Sequence, residues 1–293
     1  MRIRIVDAFT DRPFAGNPAG VLLLDALPDG TWAFPDDRWL QRVATEVNHA
    51  ETAFAHRLPE GGGADWALRW FTPATEVNLC GHATLATAHV LHSTGAHPGQ
   101  VRFATRSGVL VATPEADGSL TLDFPTAPLT EVEVPDGVAE TLGARPLAAF
   151  DTGPNVGDLL VVLDDEKTVH ALAPGHRALG AHSARGIIAT AEAEDPSRGY
   201  DFVSRCFFPN VGIAEDPVTG SAHTALAPYW SGRLGRPRLT GLQASPRSGR
   251  VGTELRGERT LLSGRAVTVI DGELHARPDQ AVGSQSTLPA SSA

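Results

Sequence analysis

Two short segments of the sequence place a glycine at the start of a run of small, mostly apolar residues. One reads Cys80-Gly81-His82-Ala83 and the other reads Thr219-Gly220-Ser221-Ala222. Each run predicts a buried helix, whose first N–H groups have no partner within it and carry partial positive charge from the helix dipole. Glycine also permits close approach of a ligand to the backbone. These helix starts are therefore candidate sites for a carboxylate or another anion. The alternative is that both glycines only allow tight turns. The candidate binding residues are Gly81, His82, Gly220 and Ser221.

Glu51 is the candidate catalytic base. It lies in a predicted strand among small and apolar residues, Ala50-Glu51-Thr52-Ala53-Phe54. Burial disfavours the charged carboxylate and raises its pKa toward the range that suits proton transfer at neutral pH. The alternative is a glutamate that faces solvent from the strand.

Asp216 and His82 are candidates for positioning the substrate. Asp216 lies between Pro209 and Gly220, which are three residues farther apart than Pro73 and Gly81 in the similar earlier segment. We interpret Asp216 as part of this three-residue insertion. An Asx turn at Asp216-Pro217 is the alternative. His82 could act as a general acid, contact a carboxylate or be a satisfied buried histidine, and its place beside Gly81 favours a role in the site.

The glycine segments belong to an internal repeat. Four pairs of landmarks lie within three residues of constant spacing, and they predict two similar lobes with a site between them. The pairs are Asn17 and Asn155, Arg69 and Arg205, Gly81 and Gly220, and Ser107 and Ser248. The repeat places no acid opposite Glu51, because the matching position falls near Ile187. A doubled scaffold with a single carboxylate suits a one-base reaction.

The pattern of apolar residues assigns elements to each lobe. We predict helices from Asp37 to about Val47, from about Ala83 to Leu91 and from about Ala222 to Trp230, with strands between them. The latter two helices are apolar almost all round, which indicates burial inside a wrapped sheet. The predicted lobes cover residues 1–125 and 148–280, and the last strands could return to the first lobe. The Ser- and Ala-rich tail, residues 281–293, is predicted to be disordered.

Composition narrows the class of protein. The chain has 293 residues, a net charge of −10 and two cysteines. The length suits two domains, and the cysteines fit a reducing compartment rather than a disulfide framework. The negative charge argues against nucleic acid and anionic membrane as partners, and no apolar run approaches the length of a membrane span. We expect a cytoplasmic protein that acts on a small molecule.

Other chemistries fit the sequence less well. A racemase with paired thiols needs a cysteine in each lobe, but the counterpart of Cys80 in the second lobe is Thr219. A hydrolase triad of Ser221, His82 and Asp216 would lack the usual Gly-X-Ser-X-Gly turn. Cys80, His82 and His89 do not form a recognised zinc spacing, so no metal site is predicted.

The chemistry-bearing segments resemble the PhzF-like family of phenazine-biosynthesis isomerases. The resemblance spreads over about residues 1–230, and the later strands also fit. The matching segments are Asp7-Ala8-Phe9-Thr10 through Gly16-Asn17-Pro18, Glu51-Thr52-Ala53-Phe54, Arg69-Trp70-Phe71-Thr72-Pro73, Cys80-Gly81-His82-Ala83-Thr84, and Glu215-Asp216-Pro217-Val218-Thr219-Gly220-Ser221-Ala222-His223.

The resemblance implies an α+β fold similar to diaminopimelate epimerase, with two pseudo-symmetric lobes that each wrap a sheet around a central helix. It also implies a homodimer and a cofactor-free isomerase, whose founding substrate is trans-2,3-dihydro-3-hydroxyanthranilate. The family's catalytic glutamate falls on Glu51. Its substrate-contacting residues fall on Gly81, His82, Asp216, Gly220 and Ser221. Members commonly have serine where this chain has Ala50, which bears on the substrate more than on the reaction type. Alternatives are an isomerase of an alkylproline-type precursor and a cofactor-independent racemase or epimerase. A non-catalytic protein that binds a small molecule in the same cleft is an alternative from a different class, and the presence of Glu51 argues against it.

Overall fold

The computed structural model describes residues 1–27 and 29–278, so the predicted disordered tail lies outside the described residues. Within them, eighteen strands pair into one continuous, strongly curved sheet that wraps around helices. The predicted fold class, α+β with a sheet around a central helix in each lobe, is confirmed.

The first half of the chain forms nine strands and three helices. They are β1 (Arg2–Ala8), β2 (Asn17–Leu23), α1 (Asp37–Val47), β3 (Glu51–Arg57), β4 (Trp66–Phe71), β5 (Glu76–Val77), α2 (Gly81–Ser93), β6 (Val101–Thr105), β7 (Gly108–Pro114), β8 (Leu120–Pro125), β9 (Thr130–Val132) and α3 (Val138–Leu142).

The second half forms nine further strands and three helices. They are β10 (Ala148–Asp151), β11 (Asp158–Val162), α4 (Glu166–Ala171), α5 (His176–Leu179), β12 (Gly186–Glu192), β13 (Phe202–Phe208), β14 (Ile213–Asp216), α6 (Gly220–Leu234), β15 (Arg238–Gln243), β16 (Gly249–Arg256), β17 (Arg259–Gly264) and β18 (Ala266–Glu273). Short 3-10 turns cover Pro196–Arg198 and Pro209–Val211.

The two halves repeat one pattern of strand pairing. In the first, β2 runs parallel to β3, which is antiparallel to β4. In the second, β11 runs parallel to β12, which is antiparallel to β13. The short strands β5 and β14 then pair antiparallel with β4 and β13. The halves are joined where β17 pairs with β8 and where β18 pairs with β1. The final strand therefore lies beside the first, while the proposed domain boundaries stay a prediction.

Helices α2 and α6 are the central elements of the two halves. Small residues and the lack of a polar face let each helix bury nearly its whole circumference. Helix α2 packs against β1, β2, β3, β8 and β18, and α6 packs against β15, β16 and β17. Both helices begin two residues earlier than predicted, at the glycines themselves. Across residues 1–27 and 29–278, none of the helices combines the length and apolar character needed to cross a membrane.

Candidate active site

The N-termini of the two central helices meet. A Cβ atom built on Gly81 would lie 3.4 Å from the Cα of Gly220, and one built on Gly220 would lie 3.4 Å from the Cα of Gly81. Neither N-cap residue, Cys80 or Thr219, accepts a hydrogen bond from the first turn through its side chain. Two sets of helix-terminal N–H groups therefore converge on one place, as the repeat predicts. The structure thus brings the four predicted anion-binding residues together.

Glu51 is the first residue of β3 and lies beside these helix ends. Its side chain is only 13% exposed, and its Oε2 lies 3.2 Å from Nε2 of His82. Burial, with a smaller contribution from the negative charge of Asp216, raises the pKa of Glu51 to about 8. The thiol of Cys80 and the positive charge of Arg185 act in the opposite direction. Glu51 is thus a desolvated carboxyl group and does not face bulk solvent.

His82 is neutral, and its contact with Asn17 favours one tautomer. Burial lowers the pKa of His82 to about 3. Nδ1 lies 3.2 Å from Nδ2 of Asn17, an amide nitrogen that can only donate, so this contact favours Nδ1 as the acceptor. The two hydrogens of that nitrogen are shared among His82, Asp216 and the carbonyl of Val218. The ring proton is then on Nε2, the atom nearest Glu51, although the pair lies outside hydrogen-bond geometry. His82 therefore presents an unpaired N–H beside the candidate base.

Asp216 ends β14 and is buried on the other side of Asn17. Its Oδ1 accepts a hydrogen bond from Nδ2 of Asn17 at 2.9 Å, and its Oδ2 accepts one from Oγ1 of Thr219 at 2.5 Å. Burial raises the pKa of Asp216 to about 6, although both hydrogen bonds favour the ionised form. Asp216 is therefore an ionised acceptor at neutral pH.

The interpretation of Asp216 as part of an insertion is wrong. In the strand ladders, Asp216 pairs with Cys206 and Val77 pairs with Trp70, so Asp216 is the counterpart of Val77. The three extra residues instead lie between Pro209 and Glu215, where the chain makes the 3-10 turn Pro209–Val211 before it enters β14. Spacing alone could not locate the insertion, because the register of β14 is set by pairing with β13.

Asn17 and Gln243 belong to this network, and their roles were missed in the sequence. Asn17 is fully buried and also donates to the carbonyl of Val218 at 2.9 Å, so it links the two halves. The amide of Gln243 accepts from the N–H of Thr219 and donates to the carbonyl of Asp216. Asn17 could have been recognised as a polar residue in an otherwise apolar strand. No feature of the sequence around Gln243 indicates its role.

Two matching ion pairs show the repeat at atomic detail. Arg69 binds Glu76 through Nε and Nη2, at 2.8 and 2.7 Å. Arg205 binds Glu215 through the same atoms, at 2.7 and 2.8 Å. Each guanidinium carbon also lies 5.1 Å from the ring of the phenylalanine two residues later. The Arg69 and Arg205 landmarks therefore occupy equivalent positions. Asn155 is exposed and does not match the buried Asn17 in environment.

The counterpart of Glu51 in the second half is Gly186. Thr52 pairs with Phe71 and Ile187 pairs with Phe207, so the residues before Thr52 and Ile187 are equivalent. This position is one residue away from the predicted match and also lacks an acid. A Cβ atom at Gly186 would lie 2.1 Å from the carbonyl oxygen of Phe207. The backbone therefore excludes a second acid there.

The geometry also bears on the rival chemistries. Burial raises the pKa of Cys80 and of Cys206 well above the ordinary value, so both are thiols. The hydroxyl of Ser221 accepts a hydrogen bond from Arg185, while Nδ1 of His82 faces Asn17, so they do not form a Ser–His pair. In the described part of the chain, Glu51, Cys80 and His82 place ligand atoms within 4.8 Å of one another, close enough to hold a metal ion. His89 instead contacts Thr268.

Comparisons with known proteins identify the family of this chain. A family model described as Phenazine biosynthesis-like protein, PhzC-PhzF, matches residues 6–272. The chain belongs to the PhzF family. It is 50% identical over 271 residues to an uncharacterised isomerase of Pseudomonas aeruginosa, a match that covers 92% of this chain and 97% of the relative. Membership of this family, with relatives named isomerases, confirms the prediction of an isomerase.

Solved structures give the same result for the fold. A PhzF-family protein from Enterococcus faecalis superposes with a TM-score of 0.84 at 38% identity, over 94% of this chain and 99% of that chain. A hydroxyproline epimerase from Agrobacterium vitis superposes with a TM-score of 0.56 at 16% identity, over 93% of this chain and 91% of that chain. The second likeness shows the fold alone, and it extends that fold to epimerases.

Proposed function

We propose that this PhzF-family isomerase moves a proton within an unsaturated, carboxylate-bearing compound derived from an amino acid, and that Glu51 is its single base. The observation that carries the proposal is one buried carboxyl group 3.2 Å from Nε2 of a neutral histidine, beside two converging helix N-termini. Gly186 supports it, because the second half has no room for another acid.

In the proposed reaction, ionised Glu51 removes a proton from an acidic C–H group, and the electron pair of that bond shifts the neighbouring double bond. Glu51 then returns the same proton to another carbon on the same face. Negative charge that develops in between is stabilised by the N–H groups at Gly81 and Gly220 and by Nε2–H of His82. One such donor can contribute about 3 kcal/mol in a closed site. Atoms and electrons balance without an oxidant or a co-reactant.

Asp216 has a separate part in this scheme. As an ionised acceptor at neutral pH, it can hold the amine or hydroxyl of the substrate. Asn17 and Thr219 occupy one lone pair on each of its oxygens, which fixes the orientation of the carboxylate. The negative charge that remains on the substrate after the proton leaves is delocalised by the conjugation of the substrate. The scheme therefore uses no organic cofactor and no metal.

We assign the substrate to compounds similar to trans-2,3-dihydro-3-hydroxyanthranilate, with a role in secondary metabolism. An alkylproline-type precursor is the second candidate, because Ala50 removes a hydroxyl beside the base that the family commonly has. A racemase or epimerase is the third, since a neighbour of the same fold is named a hydroxyproline epimerase. The missing acid at residue 186 weighs against two-base inversion. A cytoplasmic homodimer without nucleic acid or membrane partners completes the proposal.

The test is the rate of proton transfer by wild type and Glu51→Gln, with trans-2,3-dihydro-3-hydroxyanthranilate as substrate. The expected loss is 10²- to 10⁴-fold, which is typical when a general base is removed. The isomerase changes the ultraviolet spectrum as the double bond moves, whereas an epimerase would exchange deuterium from D₂O at one carbon with inversion. A Glu51→Gln variant that keeps more than about one hundredth of the rate would contradict the one-base assignment.

A further inference from the structure

Arg185 is a cation beside the site, and it has no role in the proposed reaction as described above. It lies directly before Gly186, so it is the counterpart of Ala50 in the repeat. Where the first half places Ala50 and the base, the second half places an arginine and a glycine. Its side chain is 29% exposed, so one part of it remains accessible.

Three contacts fix the direction of the Arg185 guanidinium group. Nε and Nη2 donate to the two oxygens of Asp158, at 2.8 and 2.5 Å, and the Asp158 side chain is fully buried. The guanidinium carbon lies 4.4 Å from the ring centre of Phe208, within cation–π range. Nη2 also donates to Oγ of Ser221 at 3.0 Å. The side chain is thus held rigidly against the start of α6.

One nitrogen of this group remains free for a ligand. Among residues 1–27 and 29–278, Nη1 of Arg185 has no hydrogen-bond partner. Its positive charge is near enough to lower the pKa values of both Glu51 and Asp216. The contact with Ser221 places this charge at the N-terminus of α6, where Gly220 and Ser221 were predicted to bind an anion.

We infer that Arg185 binds the carboxylate of the substrate together with the N-terminal N–H groups of α6, and that it decides selectivity for carboxylic acids. This inference rests on the proposed function of the site. Arg185 would orient the substrate so that the carboxylate lies near α6 and the reacting C–H group lies near Glu51. Asp158 is the positioning residue, because its bidentate contact directs the arginine. The charges of Arg185 and Asp158 balance, so recognition depends on aligned donors more than on net charge.

The experiment measures binding of two probes by calorimetry at pH 7. The probes are 3-hydroxyanthranilate and 2-aminophenol, which share a ring, an amine and a hydroxyl but differ in the carboxylate. Wild type is expected to bind 3-hydroxyanthranilate at least tenfold more tightly. Arg185→Met should weaken binding of 3-hydroxyanthranilate by about 10- to 100-fold, the usual contribution of a hydrogen bond to a charged group, and leave 2-aminophenol unchanged. Arg185→Lys should lie between, because lysine keeps the charge but loses the planar fork.

Two further variants separate recognition from folding. Arg185→Met leaves the buried Asp158 without its partner, so Arg185→Met combined with Asp158→Asn removes the unpaired charge and should show the same change in selectivity. Arg236→Met breaks another Arg–Asp pair, with Asp201, at the protein surface, and should bind both probes as wild type does.

Three outcomes would overturn the inference: Arg185 variants that bind both probes as wild type does, a wild type that binds the probes equally, or a wild type that binds neither. These outcomes are distinct from failure of the proposed function. In that case Glu51→Gln would retain turnover while the dependence of probe binding on Arg185 remained.

Discussion

Glu51 and Gly186 occupy equivalent positions in the two halves of the fold, and only the first position has room for a side chain. Glu51 directly precedes Thr52, which pairs with β4, and Gly186 directly precedes Ile187, which pairs with β13 at the matching position. The carbonyl of Phe207 and the ring of Phe208 fill the space that a side chain at residue 186 would need. Duplication therefore supplies two helix ends but one acid, and the lack of symmetry is enforced by backbone packing.

Substitution at Gly186 should cost stability. We expect Gly186→Ala to lower the free energy of unfolding by about 3 kcal/mol or more, because the new Cβ atom meets a backbone atom that cannot rotate away. Urea unfolding followed by circular dichroism measures the loss. The matched control is Gly232→Ala in α6, where a Cβ atom meets nothing within 4 Å and alanine favours the helix. Equal stability of the two variants would contradict the packing argument.

The ionisation of Glu51 should oppose folding at alkaline pH. Its pKa is about 8 in the folded protein against an ordinary 4.5, so between these values the unfolded chain releases a proton that the folded chain keeps. Stability is therefore lost as the pH rises through this range. Glu51→Gln removes that cost and should be more stable than wild type at pH 9, by roughly 2 to 4 kcal/mol, but nearly equal at pH 4. A difference that does not depend on pH would show that Glu51 is not desolvated.

The pH dependence of the rate should report the same group. The proposed reaction requires ionised Glu51, so kcat/KM should fall about tenfold per pH unit below pH 8. Below about pH 6, protonation of Asp216 should make the decline steeper. Stopped-flow or steady-state rates between pH 5 and 9 measure the profile. A flat profile from pH 6 to 8 would exclude Glu51 as the base.

Asn17 should be essential to the site, and its landmark partner Asn155 should not. Asn17 is fully buried and binds Asp216, His82 and the carbonyl of Val218. We expect Asn17→Ala to cost about 2 to 3 kcal/mol of stability and to reduce turnover, because it leaves buried groups unpaired. Asn155→Ala changes an exposed loop residue and should shift stability by less than about 0.5 kcal/mol. Comparable effects of the two variants in unfolding experiments would be inconsistent with this network.

The two cysteines should be unreactive in the folded protein. Both are buried, and burial raises their pKa values well above the ordinary 9.0. Iodoacetamide at pH 8 should modify neither residue in the native protein and both in guanidinium chloride, as counted by intact mass. Rapid modification of Cys80 with loss of activity would instead favour chemistry at the thiol.

The amino-acid sequence by itself determined the elements that depend on local pattern. The small apolar runs predicted the buried helices α2 and α6, because a helix without a polar face must be buried, but they placed the helix ends two to four residues too far inside. The repeat predicted two equivalent halves, and the glycines marked the helix starts. Glu51 could be proposed as the base because it is a single acid in an apolar strand without a counterpart in the repeat.

Tertiary structure alone decided how these pieces become a site. Asn17 contacts Asp216 across 199 positions of the chain, and the amide of Gln243 reaches Thr219 across 24 positions. The register of β14 shows that Asp216 is not part of the three-residue insertion predicted from spacing. Arg185 meets Asp158 and Ser221 only because parallel strands and a helix end converge there. Spacing along a chain specifies local geometry, but hydrogen bonds between distant segments depend on strand register, which is set by the packing of the whole sheet.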